Sequence, residues 1–182
     1  MRSKTGRLND WLDSLPRPSL FRACRPRPAF GSLGVTGYHA ALVVTVGCGL
    51  FQGGSLLVLL ALSGVCAASF YGWALLRRRI AGRESYVAFE HVWVALLASA
   101  GAASLFGAPV LASLDAVSLG LATFLAFGRI GCLSAGCCHG LPSSVGVVYG
   151  HEHARQGFSR HLVGVRLFPV QILETQIGRA HV

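Results

Sequence analysis

Four apolar runs, about Gly34–Leu50, Ser55–Leu76, Val87–Phe106 and Val110–Phe127, constrain this chain more than any other feature. Each approaches the roughly 20 residues a helix needs to cross the hydrocarbon of a bilayer. The competing reading is buried helices of a water-soluble protein. Such helices carry a polar face at the 3.6-residue period, and Ser55–Leu76 has none. Charged residues make up 13% of the chain and mean hydropathy is +0.56, against about 25% charged in soluble domains. The expected fold class is therefore all-α, a polytopic transmembrane helix bundle with about four helices in this chain. The first and last runs are short, so their ends stay open.

The segments flanking these runs differ in kind. Residues 1–30 carry most of the prolines, in Pro16-Arg-Pro18 and Pro26-Arg-Pro28, together with a dense set of arginines. A Pro/Arg stretch of this composition buries too little apolar area to fold alone, so it is expected to be a flexible arm lying against anionic headgroups. Its charged region is too long for a signal peptide, and no small-residue cleavage site follows a short apolar core. The net charge of +9 also raises nucleic-acid binding. The charge lies on the flanks of the spans and no RNA- or DNA-binding motif is present, so no nucleic-acid partner is expected. Residues 31–176 form the expected transmembrane domain. The tail 177–182, Ile177-Gly-Arg-Ala-His-Val182, reads as non-native: it matches the translation of a common sequencing adapter. The chain is accordingly expected to be truncated before further helices.

Directly behind the fourth run stands Phe127-Gly-Arg-Ile-Gly-Cys-Leu-Ser-Ala-Gly-Cys-Cys-His-Gly140. Arg129 is the only Lys or Arg between Arg83 and Arg155. An arginine at a membrane boundary is costly and marks a functional site by default. Glycines beside it let backbone approach a ligand closely. If the helix continues past Phe127, Arg129 and Cys132 share one face. Other ionisable groups lie in or beside the runs. His39 is expected to bond between helices. Glu90 and His91 could pair with Arg83 or a headgroup at the interface, and Asp115 reads as an orienting or capping acid.

Three segments in order, Gly128–Gly140, Gly146-Val-Val-Tyr149 and Phe168-Pro-Val-Gln-Ile-Leu-Glu174, resemble the prolipoprotein diacylglyceryl transferases. More particularly they resemble a divergent branch with Gly-Cys-Cys where the better-known enzymes have Gly-Glu. The resemblance runs from about Tyr38 to Glu174. It implies an integral enzyme of the plasma (inner) membrane that moves diacylglyceryl from phosphatidylglycerol to a cysteine thiol of a lipoprotein precursor, with no cofactor. Tyr38 falls on the family's first-helix tyrosine and Arg129 on its signature arginine. His91 lies near its third-helix histidine, although Val92-Trp93 stands where Gly-Gly normally follows. These three are the catalytic residues the resemblance implies. Gly131, Gly136, Gly140, Gln171 and Glu174 fall on substrate-binding positions. Cys132 replaces the signature asparagine and Cys137 the glutamate, both departures at positions that are catalytic or binding in the family.

The transfer that the resemblance implies makes specific chemical demands on these residues. Transfer to sulfur needs a thiolate, and a free cysteine with a pKa of about 8.5 is mostly protonated near neutral pH. A neutral His91 could accept that proton. The leaving group is a glycerol phosphate, which a guanidinium stabilises by holding two oxygens. Arg129 is the first choice and Arg166, before Phe168, the second. The rival reading of Cys132, Cys137, Cys138 and His139 is a metal site. The spacing lacks a second Cys-x-x-Cys pair and adjacent cysteines rarely bind one zinc, so no metal is expected. A disulfide or plain packing remains open for these thiols, and Cys48 and Cys66 read as packing residues. Two alternatives remain: a non-catalytic lipid-binding membrane protein, or a Cys/His metal-site membrane protein. Orientation is contested. The basic arm and Arg77–Arg83 place the motif in the cytoplasm by the positive-inside rule, whereas the resemblance places it outside, which is the expectation kept here.

Overall fold

The computed structural model describes residues 4–16, 29–81 and 88–173. The four apolar runs are helices: α2 (Ala29–Phe51), α3 (Leu56–Ala81), α4 (Ala88–Leu105) and α5 (Val110–Ala135), preceded by α1 (Lys4–Asp13). The chain is an all-α polytopic bundle, with one adjustment to the expected spans. α2, α3 and α5 are long and apolar enough to cross a membrane, while α4 is a shorter apolar helix. Polar Glu90 and His91 occupy its first turns, and Gly107, at φ +65, turns the chain out of its other end. There the Ala108 amide reaches back to the Ala103 carbonyl at 2.9 Å, closing the last turn in the Schellman manner. The turn between α2 and α3 is closed likewise, with Gly53 at φ +80 and the Gly54 amide on the Gly49 carbonyl at 2.9 Å.

The chain divides into two compact units, residues 38–124 and the remainder. Within the first, α4 packs along α3. The α4 residues His91, Ala95, Ser99 and Ala103 recur every fourth position and are all buried. Small residues at this spacing let helix backbones approach closely where hydrocarbon gives no hydrophobic drive to associate. Leu62 of α3, Ala103 of α4 and Val117 of α5 form the centre of this core. The opposite faces are apolar and outward, with Leu57, Leu97 and Leu111 all largely exposed, as befits helices whose solvent is lipid. Hydroxyls in the helices bond to the preceding turn: Ser63 to Leu59, Ser99 to Ala95 and Thr123 to Leu119, each at 2.8 Å. A polar group among hydrocarbon is thereby satisfied within its own helix.

The second unit departs from the all-helical expectation in its small parts. Strand β1 (Pro142–Val148) pairs antiparallel with β2 (Arg166–Leu167), and a short helix α6 (His151–Ala154) and a 3-10 turn at Arg160–Leu162 lie between them. Gly146 sits where the two strands approach so closely that a Cβ would collide with the Leu167 carbonyl. Leu133, Val147, Tyr149, Phe158 and Leu167 are buried together, and Leu12 of α1 joins them.

The expectation of a wholly flexible arm over residues 1–30 is therefore corrected. Lys4–Asp13 is a helix docked on β1. Asn9 accepts from the Gly146 amide at 3.1 Å and donates to the Ser144 carbonyl at 3.0 Å. Asp13 accepts from the Val148 amide at 2.9 Å. α1 thus covers the edge of β1, whose backbone groups would otherwise stand unpaired. The Pro/Arg stretch 17–28, the Arg83 loop and residues 174–182, including the tail read as non-native, lie outside the described residues.

Candidate functional site

The site is assembled at the C-terminal end of α5. That helix runs without a break through Arg129 to Ala135, so Arg129 and Cys132 lie three apart on one face. Gly136 stops it in a left-handed conformation, φ +79, with its amide on the Cys132 carbonyl at 2.9 Å. A Cβ there would come within 2.8 Å of the Phe158 ring, so glycine is required both by the backbone and by the space. The chain then folds back over the helix end. Cys138 adopts φ +55, the only non-glycine residue in the left-handed region among those described. Buried Gln171 donates to the Cys137 carbonyl at 2.6 Å, and the Gly140 amide donates to the Phe168 carbonyl at 2.9 Å. Beneath the loop the Tyr149 hydroxyl donates to the Leu133 carbonyl at 3.1 Å.

This fold-back brings the sulfurs of Cys132, Cys137 and Cys138 within 4.8 Å of one another, with Cys137 and Cys138 exposed. The Cys137 thiol is pushed down from the ordinary 9.0 to about 6, first by a hydrogen bond from Cys132. Its partial burial works against this, while Cys138, its own backbone amide and the Arg129 charge add to it. Cys138 is shifted the other way, first by burial and then by the neighbouring Cys137 charge. Burial likewise pushes the Tyr149 phenol up, with the Cys137 charge adding. The site is thus marked by a thiol lowered chiefly by a neighbouring thiol, with the Arg129 charge the smallest of the causes.

Of the residues singled out by sequence, Arg129, Gly131, Cys132, Gly136, Cys137, Gly140, Arg166 and Gln171 fall in this unit. The glycines face protein. A Cβ on Gly131 would meet the Phe30 ring at 3.0 Å, and one on Gly140 would meet Val170 at 2.7 Å. Arg166 is committed to the fold: its guanidinium spans both Asp13 oxygens, at 3.1 and 2.9 Å, and also donates to the Gly146 carbonyl. Glu174 lies outside the described residues.

Tyr38 and His91 belong to the other unit. There Tyr38 lines an apolar cavity with Thr45, Ser63, Phe70, Tyr71 and Phe124, and its ring meets His39 edge to face at 5.7 Å. His91 is fully buried with its ring 5.1 Å from Phe70. Glu90 pairs with Arg77 at 3.2 Å and accepts from the Trp73 indole at 3.3 Å, which gives it a partner within the described residues. Two contributors escaped the sequence reading. Tyr149 stood in a quoted segment without a role. Asp13 carried a signal in being one of the few acids in a basic stretch.

Part of this sequence is similar to a known protein. Over 68 residues, 36% of this chain, it is 43% identical to phosphatidylglycerol–prolipoprotein diacylglyceryl transferase 2 of Clostridium perfringens (strain 13 / Type A). The match spans 24% of that relative's length. No family profile matches the chain, and no solved structure matches it.

Proposed function

We propose that this protein transfers a diacylglyceryl group from phosphatidylglycerol to the cysteine thiol of a lipoprotein precursor at the inner membrane. The observation that carries the reading is Arg129, set near the end of a helix long enough to cross a membrane, beside an exposed loop. The partial likeness to the Clostridium transferase supports it. In this reading Arg129 holds two phosphate oxygens of the lipid headgroup and stabilises the charge that grows as glycerol phosphate departs. Cys132 and Cys137 line the headgroup side of the site. Gly131, Gly136, Gly140 and Gln171 shape the wall behind them, and Glu174 contributes through the same segment as Gln171. His91 takes the proton of the acceptor thiol and Tyr38 contacts substrate, both assigned by resemblance. Arg166, tied to Asp13, holds the wall in place.

The test is transfer of label from radiolabelled phosphatidylglycerol to a precursor protein in membranes carrying the full chain. Arg129→Ala is expected to lower turnover by roughly 10²–10³, the usual effect of removing one charge-stabilising donor. Arg129→Lys should recover only part, since an ammonium cannot make the bidentate contact. Both variants should insert normally. Full activity in Arg129→Ala would refute the assignment. Lipid binding without transfer in the unaltered protein would make it a lipid-binding protein instead.

A further inference from the structure

The lipid-transfer reading gives no reason for three thiols to converge. The Sγ atoms of Cys132, Cys137 and Cys138 lie within 4.8 Å of one another. A cation holding thiolates at about 2.3 Å in tetrahedral geometry sets them about 3.8 Å apart, inside that spread. Adjacent cysteines ordinarily fail as joint ligands because successive side chains of an extended chain point to opposite faces. Here the left-handed Cys138, φ +55, removes that obstacle and turns both sulfurs toward Cys132. A non-glycine residue in that region costs of order 1–3 kcal/mol and persists only where its surroundings impose it. Those surroundings are present: Gly136 ends α5 one residue before Cys137, Gln171 holds the Cys137 carbonyl, and Gly140 is tied to Phe168.

We propose that Cys132, Cys137 and Cys138 form a three-thiolate site for a thiophilic d10 cation, zinc(II), with its fourth position open on the exposed side of the loop. Sulfur donors select against magnesium and calcium, which take oxygen. His139 does not complete the set: the converging ligand atoms are the three sulfurs alone, and its ring packs edge to face on Phe158 with Nδ1 2.9 Å from the Gly140 carbonyl. Three protein ligands and an open position are the arrangement of reactive zinc sites rather than closed structural ones. The open position takes water or an incoming thiol. The site stands whether or not the protein transfers lipid.

The experiment uses the full chain, purified in detergent under reductant, with cadmium(II) as a spectroscopic probe. One equivalent per chain is expected to bind with a sulfur-to-cadmium charge-transfer band, and excess zinc(II) should displace it. In the unaltered protein the metal should protect Cys132, Cys137 and Cys138 from alkylation, read peptide by peptide, and leave Cys48 and Cys66 as reactive as before. Cys132→Ser or Cys138→Ser should weaken binding by more than the roughly 10–100-fold typical of losing an outer-shell partner. Cys48→Ser should change nothing. Uptake well below one equivalent, or protection that does not fall on these three cysteines, overturns the site. Because the readout is binding, its failure is separate from failure of the transferase reading.

Discussion

At the cysteine loop, side chains of one chemistry are made different by position. In the metal-free protein Cys137 is held near a pKa of about 6 while Cys138 is raised above 9.0. Only the thiolate is nucleophilic. Alkylation of Cys137 should therefore be near its maximum at neutral pH and fall as pH drops through about 6, while the Cys138 rate should rise only on the alkaline side. Since the leading cause is the hydrogen bond from Cys132, Cys132→Ala should move the Cys137 midpoint upward. Rate–pH profiles by peptide mass spectrometry measure both, and a Cys137 midpoint at the ordinary thiol value would refute the assignment. Arg129 stood out in the sequence because a lone basic residue behind an apolar run has no cheap explanation, and the structure adds its place on the same unbroken helix as Cys132. Gln171 was legible as a residue but not as a support for the Cys137 carbonyl, because that bond spans 34 positions.

Among the elements, α1 departs most from what composition implies. Its ten residues are too few for a helix stable alone in water, where about 12–15 are already marginal. Its stability comes from Leu12 in the core and from Asn9 and Asp13 on β1. Asp13→Ala removes the acceptor of the Val148 amide and the partner of Arg166. The change should cost about 1–3 kcal/mol, the range for a buried group left unpaired, and should appear as faster hydrogen exchange at Val148. Asp13→Asn keeps an oxygen for that amide but loses the ion pair, so it should fall between. Unchanged exchange in the alanine variant would mean that α1 does not depend on this anchor. The composition rule failed over residues 4–13 because they precede the first proline, Pro16, and because the surface they cover comes from β1, more than a hundred residues later.

For the whole molecule, two opposed effects bear on which side of the membrane carries the loop. Arg77, Arg78, Arg79 and Arg83 add to the basic N-terminal stretch, and each basic residue near an anionic surface is worth about 1 kcal/mol, which favours the cytoplasm. Charge only biases insertion, and later segments can reverse it; the resemblance favours the outer face. A membrane-impermeant thiol reagent applied to intact cells after mild reduction should accordingly label exposed Cys137. Labelling only after the membrane is broken would put the loop in the cytoplasm. The sequence by itself determined the helical class, the approximate spans and the arginine behind the last of them. Those rest on hydropathy and on the expense of charge near hydrocarbon, both local properties. Tertiary structure alone decided that α1 is folded, that Arg166 serves Asp13, and that three cysteines meet. Each of these depends on partners distant in the chain, or on one left-handed residue, and neither leaves a periodic trace in the sequence.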